Sequence, residues 1–247
     1  MTVNMDGNSP DAGALIWMPK IANQAVLRSL ILSAIVCRGS LESGAGNPEA
    51  EAVHQRLREW LTALDLWGAA EPAEAAMLQA PLGGLEASVT LQSGWYAEGL
   101  AVLGWALNLL DFPKHDEQVD SYAVADAFWV LDEAAAELLM TGRLRSQDDL
   151  DACREMLYAI HVRLRQYARN GAPDNFASWI ETSWLDALGC TLGGLTAQDD
   201  LAIDGKPLNQ VTEERLQETL SITSERHRAI IWLMGEQPNY AEITVDT

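Results

Sequence analysis

Three side chains able to grip an anion line up along one stretch of this chain. At about 100° per residue on a helical wheel, Arg154, His161 and Arg165 fall together. They border an apolar stripe made of Leu150, Cys153, Leu157, Ile160, Leu164 and Ala168. Tyr158 lies among them, and Arg163 falls on the opposite border. Two guanidinium groups and an imidazole in one line could hold a carboxylate or another anion. The competing reading is that their stems cover the apolar stripe while their heads pair with nearby acids.

A second concentration of chemistry is SERHRAIIWLMG, residues 224–235. Ile222, Arg226, Ala229, Ile230 and Leu233 share one helical face, so Arg226 points where a core should be. Glu225, Arg228 and Trp232 point elsewhere, and His227 sits at the edge, where it reads as incidental. A guanidinium cannot shed its charge by losing a proton, so a buried arginine needs an acid and well-placed acceptors. Glu98 is the natural counter-charge. It stands in line with Val102, Trp105 and Leu109 inside SGWYAEGLAVLGWALNLL, residues 93–110, the most apolar segment of the chain. The expectation is that Glu98 contacts Arg226 or, failing that, Arg165.

Glu98 with His161 or His227 would also make an acid/base set, lining a pocket with Trp95, Trp105 or Trp232. The motifs that usually accompany such chemistry are missing. The sequence has no nucleophile elbow, no glycine-rich phosphate loop after a strand and no metal-ligand spacing, and it calls for no cofactor. The architectural reading of these residues is therefore preferred, with no catalytic residue assigned. His54 and His115 lie in or beside acid-rich, exposed-looking segments and show no evident role.

Helical periodicity predicts the elements that position these residues: Ile21 to Arg38 stopped by Gly39, Pro48 to Leu66, Glu71 to Gln79, Ser93 to Leu110 and Asp120 to Met140. PLGGLEASV reads as a turn. Ser146 is a good N-cap for a helix running to about Asn170, closed by Gly171 and Pro173. Asp204-Gly205 between short apolar pairs predicts one small β-hairpin near residues 200–208. Glu213 to Met234 returns to helix, with a pattern compatible with a break near Ile222–Ser224. The expected fold is mostly α, a single globular multi-helix domain over 1–247 with a buried central helix. Residues 1–20 are expected to be extended or poorly ordered, and residues 236–247 to form a C-terminal tail.

Charge constrains the partners. Sixteen Lys and Arg against 36 Asp and Glu give 16 − 36 = −20, with a sequence pI near 4.4. Such a chain is repelled by nucleic-acid phosphates and anionic lipids and is drawn to cationic partners. Excess acid also serves plain solubility in a protein with nine tryptophans. Cys37, Cys153 and Cys190 have no metal or redox spacing and read as reduced thiols. No basic leader opens the sequence, and the apolar run Ala25 to Cys37 is short and carries Arg28. A cytoplasmic, soluble protein is expected.

Several blocks in order resemble the bacterial family catalogued as domain of unknown function 4272. They are REWLTALDLWGAAEPAEAAMLQAPLG (58–83), SGWYAEGLAVLGWALNLLDFP (93–113), REMLYAIHVRLRQYA (154–168), DLAIDGKPL (200–208) and SERHRAIIWLMGEQPNYAEITVDT (224–247). Ile231 stands where the family pattern often has Asn, and Tyr240 where it often has Trp. The resemblance implies one mostly helical domain and brings no catalytic residues with it.

Three functions follow as expectations. The first is a protein-binding or immunity-type module that engages a basic protein through acidic patches such as DEQVD and QDDLD. The second is an enzyme or sensor with a small anionic-ligand pocket around Glu98, His161, Arg165 and Arg226. The third is a structural or self-assembling subunit that uses surface tryptophans such as Trp179 and Trp184. The first is preferred, with no nucleic-acid or membrane partner.

Overall fold

The computed structural model describes residues 20–235 and 237–245. The expected extended segment 1–20 therefore lies almost wholly outside the described residues, as do the ends of the expected tail. Among the described residues the helices are α1 (Ala22–Ser40), α2 (Pro48–Ala63), α3 (Pro72–Gln79), α4 (Ala87–Ala106), α5 (Ser121–Asp126), α6 (Ala135–Thr141), α7 (Gln147–Asn170), α8 (Thr182–Leu188), the single turn α9 (Leu192–Leu195) and α10 (Glu213–Leu233). Three short strands, β1 (Thr196–Ala197), β2 (Asp200–Ile203) and β3 (Lys206–Pro207), complete a mostly α domain.

Helix α4 is the buried centre. Every residue from Ala97 to Ala106 is buried, and the helix packs between α1 on one side and α10 on the other. An all-round apolar helix has no face to offer water, so it can only sit inside. Helix α10 in turn packs against α7, and α7 against α8. This succession sets Glu98 of α4 against Arg226 of α10, and His161 of α7 against His227 of α10.

Local chemistry fixes several boundaries. Ser146 Oγ accepts from Asp149 N at the start of α7, and Gly171 (φ 62°) closes it in the left-handed conformation. Asn47 caps α2 and Asp120 caps α5 through their side chains. Asp204 (φ 53°) and Gly205 (φ 70°) are both left-handed, the signature of a type I′ turn, and they join β2 to β3 in the predicted hairpin. A second two-residue turn, Gln198 (φ 52°) and Asp199 (φ 65°), pairs β1 antiparallel with β2. It carries no glycine signal, and the sequence reading missed it.

The structure corrects four expectations. Helix α4 begins at Ala87 rather than Ser93, because its first turns expose Val89 and Leu91 and so lack an apolar stripe. The single helix expected over 120–140 is two short ones. Trp129 (φ 53°) and Leu131 (φ 69°) break the run while Phe128 stays fully buried and Trp60 Nε1 donates to Asp132 O at 2.9 Å. Tertiary contacts thus override local propensity there. Helix α10 runs unbroken through Ile222–Ser224. The nearby Thr219 and Ser221 hydroxyls return bonds to the carbonyls of Arg215 and Gln217, so helix and hydroxyl groups are both satisfied. The C-terminal segment is docked: Tyr240 and Ile243 are buried, and Glu71 accepts from Tyr240 N (2.6 Å) and Ala241 N (3.2 Å).

Candidate functional site

Glu98 and Arg226 close on each other in the core. Arg226 Nε and Nη2 both reach Glu98 Oε2, at 2.9 and 2.7 Å, with both side chains essentially inaccessible. The remaining polar atoms are spent on the loop between α4 and α5. Arg226 Nη1 donates to Lys114 O, its Nη2 donates to Glu117 O at 2.7 Å, and Glu98 Oε1 accepts from Val119 N at 3.0 Å. The pair therefore staples DFPKHDEQVD onto the bundle. Burial pushes the Glu98 carboxyl up from its ordinary range, and the charge of Arg226 opposes that push. Trp105, also expected here, is buried in a different contact, edge-on to Phe112 at 5.5 Å with the Arg145 guanidinium 4.9 Å from its ring centre.

His161 and His227 form a second, separate node. Their Nδ1 atoms are 3.1 Å apart, the rings cross edge to face, and Ser224 Oγ lies 3.3 Å from His161 Nε2. The Tyr158 ring packs on His227. One Nδ1 must donate and the other accept, so both imidazoles cannot be charged without losing the bond. Burial, His161 and Arg154 together push His227 down to about 3. His227 is thus a buried partner and not an incidental edge residue, and Glu225 beside it is buried against Gln92 and Arg228. Arg165 is half-buried one turn beyond His161. Of the predicted set, Glu98 and Arg226 meet each other directly, while His161 meets His227.

The sequence reading missed three further buried arginines. Arg163, assigned to a helix border, is fully buried and forms a two-pronged pair with Asp200, Nε–Oδ1 and Nη2–Oδ2 both 2.6 Å. It clamps β2 to α7, and its Nη2 also donates to Ala172 O. Arg28 bridges Glu71 (3.0 Å) and Glu74 (2.5 Å), and the Glu71 carboxylate is also the one that holds the C-terminal segment. Arg38 pairs with Glu42 at 2.6 Å and donates to the carbonyls of Ala80 and Pro81. Arg28 and Arg38 lie in and just beyond the apolar run 25–37, a signal that could have been used as it was for Arg226. His54 and His115 are buried rather than exposed, each bonded to a backbone carbonyl, Leu78 O (3.2 Å) and Ala202 O (2.6 Å).

A cleft of about 550 Å³ opens where the stapled loop faces the hairpin. Phe112, Met156, Ile160, Leu188 and Leu195 line it with apolar surface, and Lys114, His115, Asp116, Cys190, Thr191 and Asp204 supply its polar groups. Burial raises all three thiols, Cys37 to about 11 and Cys153 and Cys190 in the same direction, so none is an activated nucleophile. Among the described residues no group of three or more His, Cys, Asp or Glu is placed to hold a metal ion. No described helix is long and apolar enough to cross a membrane.

These features define a mostly helical domain whose connecting segments are tied to the bundle by buried arginine–carboxylate pairs. The chain belongs to the family described as Domain of unknown function (DUF4272), whose model matches residues 19–178. The match takes in Glu98, His161 and Arg165 and stops before the hairpin and α10, so Arg226, His227 and Asp200 lie beyond it. No curated protein and no solved structure matches the chain.

Proposed function

We propose that this chain is a protein-binding module that engages a cationic protein, in the manner of an immunity protein facing a basic toxin. The observation that carries the reading is the surface of α5, α6 and the loops around them. From 118 to 142 the sequence holds five acids and no Lys or Arg. The same stretch exposes Tyr122 (69%), Trp129 (41%) and Met140 (79%). Asp120, Asp126, Asp132, Glu133 and Glu137 are exposed around them. Exposed aromatics and Met among acids combine anchors for burial with a field that attracts a basic surface. Trp129 is held at φ 53°, a costly conformation for a bulky residue and one that clusters at working sites.

The inward side of the fold supports the same reading. Four arginines are buried, each against one or two acids, which leaves the remaining acids to dominate the surface. A pocket built on Glu98 and Arg226 has little to offer a ligand, since the polar atoms of both are engaged with each other and with the loop backbone. Trp179 and Trp184 are half-buried against the core, which gives a self-association patch less to use. The reading places the protein in the cytoplasm, where unpaired thiols stay reduced.

Affinity capture of the intact chain from its own cells, in low and in high salt, tests the reading. A near-stoichiometric basic protein that is lost in salt, and lost again with Trp129→Ser, is expected. A partner-free eluate in low salt would refute it.

A further inference from the structure

The cleft beside the stapled loop contains a pair of acceptors with no common donor among the described residues. His115 Nε2 lies 2.6 Å from Ala202 O. A carbonyl oxygen can only accept, so Nε2 carries a proton, and in the neutral ring Nδ1 presents a lone pair. Asp116 Oδ1 faces that lone pair at 3.8 Å, beyond hydrogen-bond reach, while Asp116 Oδ2 accepts from Asp204 N at 2.7 Å. Burial keeps the imidazole toward its neutral form, although Asp116 pulls the other way. Two acceptors side by side suit a group that carries more than one N–H.

The rest of the lining narrows the choice. Glu117 and Asp204 add negative charge, and Arg215 and the Lys206 charge hold Asp204 ionised. Among the described residues of the lining the one Lys or Arg, Lys114, is paired with Glu117. A carboxylate or phosphate would meet acids on two sides. A neutral apolar molecule would satisfy the floor of Phe112, Met156, Ile160 and Leu188 and leave the acceptors unmatched. An ammonium group on an apolar body satisfies both.

We propose that this cleft binds a small primary amine, its ammonium held between His115 Nδ1 and Asp116 Oδ1 and its apolar body against Phe112, Met156 and Ile160. The site is distinct from the acidic face of α5 and α6 and does not depend on it. Hydrogen-bond acceptors fix the head, and the cleft volume admits an aryl or short alkyl group. Cys190 lines the same space, whereas Cys153 is fully buried and Cys37 lies outside the lining.

Alkylation of Cys190 by iodoacetamide at mildly alkaline pH, read by peptide mass spectrometry, reports occupancy on the unmodified chain. Phenethylamine is expected to slow alkylation of Cys190 at least several-fold and leave Cys37 unaffected. Phenylethanol and phenylacetate, which share its body, are expected to have no effect. Asp116→Asn keeps an acceptor for Asp204 N but removes the charge, and is expected to weaken protection about tenfold or more. Equal protection by alcohol and amine, or none by the amine, overturns the proposal.

Discussion

Replacing Glu98 by Gln removes the counter-charge of a guanidinium that water cannot reach. The variant keeps size, and its amide oxygen can still accept from Val119 N, so the change isolates charge. Arg226 would retain the carbonyls of Lys114 and Glu117 but lose the carboxylate that it meets at 2.7 and 2.9 Å. Breaking a buried pair from one side costs about 3–5 kcal/mol. A domain of this size is stable by roughly 5–15 kcal/mol and loses about 2–4 °C per kcal/mol, which predicts a drop of roughly 6–20 °C in Tm. Thermal and urea unfolding followed by circular dichroism measure it. The double variant Glu98→Met with Arg226→Met should lose less than the sum of the two single changes, because no orphan charge remains. Hydrogen exchange in Glu98→Gln should rise at Val119, whose amide the pair holds. An unchanged midpoint, or strictly additive singles, would refute the assignment of the pair as the staple of the loop.

Two other perturbations follow from the same geometry. His227 has its folded pKa lowered to about 3 from an ordinary 6.5. The unfolded chain therefore binds a proton between those values that the fold does not, and stability is complete above pH 6.5 and falls as pH drops below it. The slope approaches about 1.4 kcal/mol per pH unit for one such group. Tm measured from pH 7.5 to 5, above most carboxylate titration, should fall in the native chain and fall less steeply in His227→Phe; equal slopes would exclude the His161–His227 node as the acid-sensitive element. Tyr240→Phe removes a buried hydroxyl that has no hydrogen-bond partner among the described residues and should leave stability unchanged or raise it by up to about 1–2 kcal/mol, read as the urea midpoint.

How far the sequence discloses this architecture depends on whether a feature is local. Ser146 and Gly171 mark the ends of α7, Asp204-Gly205 marks its hairpin, and the all-round apolarity of 93–110 marks the centre, because each is written within a few residues. Arg226 is legible as buried because five positions of one face point inward, and Glu98 because no other acid interrupts that segment. Arg163 is not, since the wheel places it on a border and its partner Asp200 comes from a strand too short to show a period. The Gln198–Asp199 turn and the break at Trp129 carry no glycine or proline. Long-range contacts rather than local propensity hold them.

The buried arginines share one design that bears on the surface. In three of the four, the guanidinium spends surplus donors on backbone carbonyls of a connecting segment: 114–117 for Arg226, 80–81 for Arg38 and 172 for Arg163. Arg28 reaches the C-terminal segment indirectly, through Glu71. An apolar residue in the same position could fill the space but could not hold a loop, because it has no donors to offer. An arginine has five, and a chain with 36 acids supplies the countercharge. The fold thereby fixes loops that short apolar elements alone would leave loose. The acceptor pair at His115–Asp116 and the acidic face that begins beside it are carried on or next to the loop that Glu98 and Arg226 staple. Preorganised acceptors bind without the entropy cost of ordering a loop first. On this reasoning, loosening the Glu98–Arg226 pair should weaken amine protection of Cys190 before it unfolds the domain.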